Sequence, residues 1–405
     1  MQMRRVRLIV LALTLSFLFL ISLGGCAKKR EIEIKRPEDT LVLFKGWWKP
    51  KFVDDLDKES LKVSVDKSIS YLKRFPLDTE ITYGPHTYSA GHLIRSMELF
   101  LDIFSHSLTP KELNKKIRRN FHIYKSVGAD GSGSVLFTGY YEPILKGSLI
   151  RTDQYRFPLY MRPKDLMVID LGQFHSRFEG ERIVARYDNE KVIPFYNRKE
   201  IDIDNALEGR GLELLWVDDH IDRFFLQIQG SGVIVFDDGS VQRVHYAGSN
   251  GRPYRSVGKV LIRENKISRA QTSLQGVKAY LKGNPQEMDR ILNHNESYVF
   301  FEKVERGPIG NINLVLTPER SIATDYRLFP KGGLAFIISK KPVIDPTGSI
   351  TKWKKFSRFV MNQDTGGAIR GPGRVDFFWG GGRYAEIAAG SMYQYGELYF
   401  LVSKK

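Results

Sequence analysis

The spacing of hydrophobic positions divides the chain into a helical first third and a strand-rich remainder. Between about Asp57 and Lys125 apolar residues return every three or four positions, most clearly from His92 to Leu108. From Gly128 onward short apolar stretches alternate with Gly, Pro, Asn and Asp turns, interrupted by one helical stretch from about Ser268 to Asn293. The pattern predicts an α+β fold that is mainly β, with a helical N-terminal part. Closely spaced strands are typical of barrels and sandwiches, and the pattern alone does not decide whether they form one barrel or two.

The first residues have the features of an export signal. Met1 to Arg7 carries three arginines, and an apolar run of roughly 16 residues follows, short of the roughly 20 that span a bilayer. Gly24, Gly25 and the single cysteine, Cys26, come next in an arrangement that resembles the bacterial lipoprotein cleavage box. We therefore expect a signal peptide at 1–25, a lipidated Cys26 and a flexible tether over 26–38. The alternative is an uncleaved anchor with an incidental cysteine.

The charge and the single cysteine narrow the class of partner. A net charge of +16 suits nucleic acid, an anionic membrane surface or an acidic polymer, although a charge spread along the chain is also typical of a solvated surface. Export argues against nucleic acid and favours a cell-wall polymer. A lone cysteine excludes an internal disulfide, and once lipidated it leaves no thiol for catalysis. Ala27, which follows it, resembles the signal that sends lipoproteins to the outer membrane of Gram-negative bacteria.

Several common catalytic motifs are absent from the sequence. It contains no HExxH motif and no phosphate-binding Gly-x-x-x-x-Gly-Lys-Ser/Thr loop, and the eight histidines are scattered without metal-ligand spacing. Gly230-Ser231-Gly232 lacks the one-residue spacing on each side of the serine that a nucleophile elbow requires. We expect these glycines to allow close approach of a ligand to the backbone, and we predict neither a metal nor a cofactor.

Three aspartates near the C-terminus are the strongest candidates for chemistry. Asp364 is followed at once by Thr365-Gly366-Gly367, where two missing side chains indicate a sharp turn or close approach of a bulky ligand. Asp376 lies among apolar residues twelve positions later, and Asp325 follows Ser321-Ile322-Ala323-Thr324. Carboxylates grouped in a partly apolar cleft push their pKa values apart, which keeps one protonated for general acid catalysis. Alternatively, Asp325 and Asp376 cap turns by accepting local N–H bonds.

Several segments together carry a resemblance to a known family. The C-terminal segments 321–325, 363–371 and 375–378 resemble the three-aspartate (3D) domain of cell-wall lytic enzymes. Upstream, the segments 137–143, 226–232, 246–259 and 295–301 resemble hallmarks of the membrane-bound lytic murein transglycosylase A family. The resemblance extends in order from about Gly128 to the C-terminus, and the helical N-terminal third matches only in general character.

The resemblance implies the fold and the division into domains. A double-psi β-barrel domain would be assembled from residues 39–144 and 296–405, with the 3D part at about 313–403. A smaller β domain would be inserted at 145–295, and glycan would lie in the groove between the two. Clefts between domains are common ligand sites.

The resemblance also implies the reaction and its residues. Asp364 matches the catalytic acid/base, and Asp325 and Asp376 match the accompanying catalytic aspartates, of which Asp376 is expected to tune or orient Asp364. The bond cleaved is the β-1,4 linkage between N-acetylmuramic acid and N-acetylglucosamine, and the muramyl 6-hydroxyl closes a 1,6-anhydro ring, so that no second carboxylate is needed. The expected substrate-binding residues are Tyr140, Tyr141, Glu142, Gln229, Gly230, Ser231, Gly366 and Gly367. Because residues alternate between the faces of a strand, one of the two tyrosines is expected to pack in the core.

The expected partners are peptidoglycan glycan strands, the outer membrane through the lipid anchor, and other cell-wall synthesis enzymes, with no nucleic acid. The expected location is the periplasmic face of the outer membrane of a Gram-negative bacterium. Two other functions remain open at this point. One is a cell-wall glycoside hydrolase that uses two aspartates, and the other is a peptidoglycan-binding lipoprotein without activity.

Overall fold

The computed structural model describes residues 34, 36–46, 50–106 and 108–404. The expected signal peptide, Cys26 and most of the tether lie outside the described residues. Within the described ranges, no helix combines the length and the apolar character that crossing a bilayer requires.

The described residues contain nine α-helices: α1 Lys58–Leu72, α2 Ala90–Ser105, α3 Pro110–Asn120, α4 Arg198–Asp202, α5 His220–Gln229, α6 Val257–Arg263, α7 Leu274–Gly283, α8 Pro285–Asn293 and α9 Arg383–Ser391. The helices predicted in the first third are confirmed as α1 to α3, and their starts have local causes. The Asp57 side chain accepts the Ser60 N–H at the start of α1, and Thr109 forms a capping box with Glu112 at the start of α3.

The sequence patterns missed some elements and merged others. The first third is not wholly helical, because it also contains a hairpin between α1 and α2 and a strand after α3. The single helix predicted from Ser268 to Asn293 is two helices, since α7 ends at Gly283 and Pro285 begins α8. Helices α4, α5, α6 and α9 were missed because they are short segments within a strand-rich region.

The described residues also contain four short 3-10 helices and nineteen strands. The strands are β1 Leu41–Leu43, β2 Glu80–Tyr83, β3 His86–Ser89, β4 Phe121–Ser126, β5 Val135–Glu142, β6 Ile144–Ser148, β7 Phe157–Tyr160, β8 Met167–Asp170, β9 Arg182–Asp188, β10 Lys191–Pro194, β11 Glu213–Val217, β12 Ser231–Val235, β13 Val241–Ser249, β14 Val299–Val304, β15 Ser321–Ala323, β16 Leu334–Ile344, β17 Ile350–Asp364, β18 Arg374–Gly381 and β19 Gln394–Ser403.

Six of these strands close into a barrel. The order is β19-β16-β17-β15-β18-β5, and β5 pairs back to β19. β15 pairs with β17 in parallel, and β18 pairs with β5 in parallel, while the other neighbours are antiparallel. This is a six-stranded double-psi β-barrel, with β1 and β4 extending the sheet beyond β19. Closure removes the free sheet edges and leaves the ends of the strands as the place for a site.

A second β region lies between β5 and β15 in the sequence. Its six-stranded sheet has the order β14-β13-β12-β6-β11-β7, and a three-stranded sheet β10-β9-β8 accompanies it. The six-stranded sheet draws its strands from Ile144 to Val304, so β14 lies beyond residue 295, where the resemblance placed the end of the insertion.

Helices α6, α7 and α8 of the insertion share the hydrophobic core of the barrel domain. Leu261 of α6, Leu281 of α7 and Leu292 of α8 are fully buried in the same hydrophobic cluster as the barrel residues Phe336 and Phe359. The six-stranded sheet has a separate cluster of its own. The helices of the insertion therefore belong to the core of the barrel domain, while its six-stranded sheet has a core of its own.

Candidate active site

The end of β17 and the middle of β18 bring two of the predicted aspartates to one place. Ala323 of β15 pairs with Asp364 of β17 on one side and with Asp376 of β18 on the other. The two carboxylates therefore belong to strands that flank the same residue of the barrel. The twelve-position spacing seen in the sequence consists of the loop 365–373 that joins these two strands and the first residues of β18.

The Asp364 carboxyl group is held by three hydrogen bonds. Its Oδ1 accepts the backbone N–H groups of Thr365 at 2.9 Å and of Asn311 at 3.0 Å, and its Oδ2 accepts the hydroxyl of Tyr140 at 2.8 Å. Oδ2 carries one bond and Oδ1 two, so Oδ2 is the oxygen with room for a proton.

Burial raises the pKa of Asp364 to about 6, even though its three hydrogen bonds favour the ionised form and lower it. The negative charge of Asp376 raises that pKa further. At pH 7 roughly a tenth of such a group is protonated, compared with roughly one part in a thousand for an ordinary aspartate. Asp364 therefore has the pKa that a general acid needs near neutral pH.

Asp376 has one strong local bond. The Thr138 hydroxyl of β5 donates to its Oδ1 at 2.6 Å. Burial raises the pKa of Asp376, while the Thr138 bond and the charge of Arg374 act in the opposite direction. The position fits a group that tunes Asp364 electrostatically.

Asp325 differs from the other two aspartates because both of its carboxylate oxygens accept hydrogen bonds from an arginine. Its side chain is fully buried, and both oxygens accept bonds from the Arg327 guanidinium, at 2.9 and 2.7 Å. The Gly371 N–H adds a bond at 2.9 Å from the loop after Asp364. Burial acts to raise the pKa of Asp325, but these bonds outweigh it and hold the pKa below the usual value. This geometry fits a structural residue that attaches the loop after Asp364 to the end of β15. Such a role resembles the alternative in which Asp325 caps a turn.

The consecutive tyrosines of β5 face opposite sides of the strand. Tyr140 reaches the Asp364 carboxyl group, whereas Tyr141 is 4% exposed and packs in the barrel core. The two tyrosines therefore alternate between the faces of the strand as predicted, and Tyr140 donates a hydrogen bond to Asp364. Glu142 is buried and paired with Arg243 of β13, so its carboxylate already has a partner.

The 229–231 segment has structural contacts of its own. The Gln229 side-chain oxygen accepts the Tyr141 N–H at 3.1 Å and so links α5 to β5. Gly230 ends α5 at a φ of 81°, which favours glycine. The Ser231 hydroxyl lies 2.8 Å from Nδ1 of His245. The structure describes no contact between this segment and Asp364.

Gly366 and Gly367 lie in the loop that follows Asp364. A methyl group added at Gly367 would meet no atom within 4 Å, and one at Gly366 would contact only Ile369, at 3.1 Å. The space beside Gly367 is therefore open, as a ligand-approach role requires.

The sequence patterns missed three groups at this site. Thr138 holds Asp376, Asn311 holds Asp364, and the Lys331 ammonium is bonded to the Asn311 side chain. Thr138 was visible within the 137–143 motif, but Asn311 and Lys331 come from connections between strands and carry no local signal. Among the described residues, no three His, Cys, Asp or Glu side chains are grouped as metal ligands.

The bond from Tyr140 gives a prediction for the pH dependence. The hydroxyl stabilises ionised Asp364, so Tyr140→Phe should raise the pKa of Asp364. Any reaction that needs protonated Asp364 loses rate as pH rises through this pKa. The decline of kcat/KM should therefore lie at higher pH in Tyr140→Phe than in the native protein, with a plateau lowered by no more than about tenfold. Asp376→Asn should move the decline to lower pH, and a shift in the same direction for both variants would contradict the arrangement.

The barrel and a carboxyl group with its pKa near neutrality define the class: a double-psi β-barrel enzyme equipped for general acid–base catalysis. Residues 136–302 match the family model of the MltA specific insert domain, and residues 320–402 match that of the 3D domain. Membrane-bound lytic murein transglycosylase A of Vibrio cholerae and that of Escherichia coli are each 31% identical over 277 residues, covering 68% of this chain and 67% of the relative. The chain therefore belongs to the membrane-bound lytic murein transglycosylase A family.

Solved structures agree with this placement. The crystal structure of a membrane-bound lytic murein transglycosylase from Agrobacterium tumefaciens is 28% identical with a TM-score of 0.69, and the match covers 86% of this chain and 93% of that one. E. coli MltA with bound chitohexaose, 23% identical, shares the fold with a TM-score of 0.67 over 94% of this chain and 98% of that one. The family resemblance and the double-psi barrel with an inserted β domain are confirmed.

Proposed function

We propose that this protein is a lytic transglycosylase of peptidoglycan and that Asp364 is its single acid/base catalyst. The observation that carries the proposal is a carboxyl group that three hydrogen bonds fix at the end of a barrel strand, where burial raises its pKa to about 6. Family membership supports the reaction class, since the relatives are named lytic murein transglycosylases.

The reaction moves two protons through Asp364, one that it donates and one that it later accepts. Protonated Asp364 donates to the β-1,4 oxygen between N-acetylmuramic acid and N-acetylglucosamine, and the bond from that oxygen to the muramyl C1 breaks. The N-acetylglucosamine leaves with a free 4-hydroxyl, while oxocarbenium-like positive charge develops on the muramyl ring. The muramyl 6-hydroxyl then attacks C1, and ionised Asp364 accepts its proton. No water is consumed, and the product ends in a 1,6-anhydro ring.

The internal nucleophile explains why one carboxylate suffices. Hydrolases of glycosides use a second carboxylate as nucleophile or as base for water. Here the attacking hydroxyl belongs to the substrate and has the advantage of an intramolecular reaction. Asp376, bonded to Thr138 beside Ala323, then serves to keep the pKa of Asp364 high.

The proposal includes attachment to the outer membrane. The relatives are named membrane-bound, and the Leu23-Gly24-Gly25-Cys26 box of this chain supports anchoring through a lipid on Cys26 at the periplasmic face. A protein held there has access to the glycan strands and to cell-wall synthesis enzymes.

Mass spectrometry of the products tests the proposed reaction. The detergent-solubilised full-length chain is incubated with purified peptidoglycan, and the muramyl ends of the products are weighed. We expect 1,6-anhydromuramyl ends. Reducing ends, heavier by one water, would instead indicate a hydrolase and give Asp376 a catalytic role. Binding without cleavage would leave only a wall-binding protein.

A further inference from the structure

A cavity of about 320 Å³ lies on the barrel domain, between the end of α1, strand β2 and the segment 326–331. We call it the side pocket. Its walls carry four aromatic side chains, Tyr71, Phe75, Tyr326 and Phe329. Tyr326 is 49% exposed and Phe75 is 37% exposed, so the aromatic surface is open to a ligand. A volume of this size is at the lower end of the range for ligand pockets.

Three cations lie beside the aromatic wall, and none of them forms a described salt bridge. The Lys331 ammonium is 5.4 Å and the Arg370 guanidinium 5.9 Å from the centre of the Tyr326 ring. Burial raises the pKa of Tyr71 in the same wall, and the charge of Arg74 acts to lower it. The Arg74 guanidinium donates to the backbone oxygens of Ile312 and Asn313, at 2.9 and 3.3 Å. Over the described ranges, none of these three cations forms a salt bridge, whereas Arg327 in the same wall is neutralised by Asp325.

The balance of charge favours an anionic ligand. The pocket wall contains one acidic side chain without a described salt bridge, the exposed Glu80 of β2. The three cations that form no salt bridge outnumber it. Guanidinium and ammonium groups next to an exposed aromatic ring suit a ligand that has both carboxylates and short apolar groups.

The side pocket is connected to Asp364 through a single residue. The Lys331 ammonium, which lines the pocket, is bonded to the side-chain oxygen of Asn311. The backbone N–H of the same Asn311 donates to Asp364 Oδ1 at 3.0 Å. Arg370 belongs to the loop that follows Asp364, and its guanidinium bonds the Gly366 oxygen at 3.1 Å. The charge of Asp364 also opposes the lowering of the Lys331 pKa by burial, so a residue of the pocket wall lies within electrostatic range of Asp364.

We propose that the side pocket binds the peptide stem of the muramyl residue whose bond is cleaved. This inference rests on the proposed function, because that reaction places a muramyl ring at Asp364. Each muramyl ring bears a short peptide with free carboxylates and small apolar side chains, which is the chemistry the pocket wall matches. The cations hold the stem carboxylates, and the aromatic wall packs against its apolar groups. The volume has room for the first residues of the stem.

Two substrates test the proposal on the full-length protein. One is peptidoglycan with its stems, and the other is the same material stripped of stems by an amidase. We expect kcat/KM for formation of anhydromuramyl ends to be about tenfold higher with stems, the size of one charge-assisted hydrogen bond. In the double variant Lys331→Gln with Arg370→Gln the ratio should fall towards one. The ratio is the readout, because a disturbance of Asp364 itself would change both rates together.

Two controls separate charge at the pocket from charge in general. Lys340→Gln with Lys354→Gln removes two positive charges from exposed positions of the β16–β17 hairpin and should keep the native ratio. Stems whose carboxylates have been converted to amides should lose the preference in the native protein. A native ratio of one, with anhydromuramyl ends formed from both substrates, would overturn the pocket assignment and leave the proposed function standing. If the ratio of kcat/KM with and without stems fell equally in the pocket variant and in the Lys340→Gln, Lys354→Gln control, the pocket assignment would also be overturned.

Discussion

Asp364→Asn is expected to lower the rate of glycan cleavage by roughly 10²- to 10⁴-fold, the usual contribution of a general acid–base group. Asparagine is of the same size, but its side chain is not an acid near neutral pH and cannot transfer a proton to the substrate. Its amide oxygen can still accept the N–H groups of Asn311 and Thr365, and its NH₂ group can donate to the Tyr140 hydroxyl. The variant should therefore fold and bind glycan strands while failing to cleave them.

The measurement pairs product formation with binding. Anhydromuramyl ends are quantified over time, and binding of the same variant to sedimented peptidoglycan is measured in parallel. Asp325→Asn serves as a contrast, because its buried carboxylate is paired with Arg327 and should affect unfolding more than chemistry. If Asp364→Asn cleaves at the native rate, Asp364 is not the catalyst. If Asp376→Asn loses as much rate as Asp364→Asn, a two-carboxylate hydrolase becomes the better explanation.

The sequence could identify the aspartates, but not what surrounds them. Asp364 stands out because two glycines and a buried strand frame it. Its donors come from far along the chain, since Tyr140 is 224 positions away and Asn311 is 53 positions away. Barrel closure brings them together, and no local spacing encodes that. The catalytic role of Asp364 stays a prediction.

The same limit explains the contrast among the three aspartates. In the sequence, Asp325 and Asp376 both accompany Asp364, and either could instead cap a turn, although only Asp376 was expected to tune or orient Asp364. Only the packing distinguishes them, because Arg327 and the Gly371 N–H occupy the Asp325 oxygens, while Asp376 has one hydroxyl partner. Similarly, Gly230 was interpreted as a site for ligand approach, and the structure adds a backbone reason for it at the end of α5. Motif residues can therefore serve the fold as well as the ligand.

A buried arginine provides the largest expected effect on stability. Arg320 is fully buried immediately before β15. Its guanidinium forms two bonds to the Asp54 carboxylate, at 2.7 and 2.9 Å. It also donates to the backbone oxygens of Phe359 and Asp57, at 2.8 and 2.6 Å. These bonds tie the segment before α1 to the barrel strand that ends at Asp364, so one side chain joins the N-terminal part to the site.

Arg320→Met should lower the free energy of unfolding by about 3–5 kcal/mol, because it leaves the Asp54 carboxylate buried without its cation. Lys62→Ala is the matched control, since it breaks an ion pair with Asp66 on the exposed face of α1 and should cost no more than about 1 kcal/mol. Urea titrations of both variants measure the difference. Equal losses in the free energy of unfolding would mean that burial does not increase the contribution of the Arg320–Asp54 pair to stability. A selective loss for Arg320→Met, accompanied by loss of cleavage at temperatures where the native protein is active, would show that the alignment of β15 beside Asp364 depends on this N-terminal attachment.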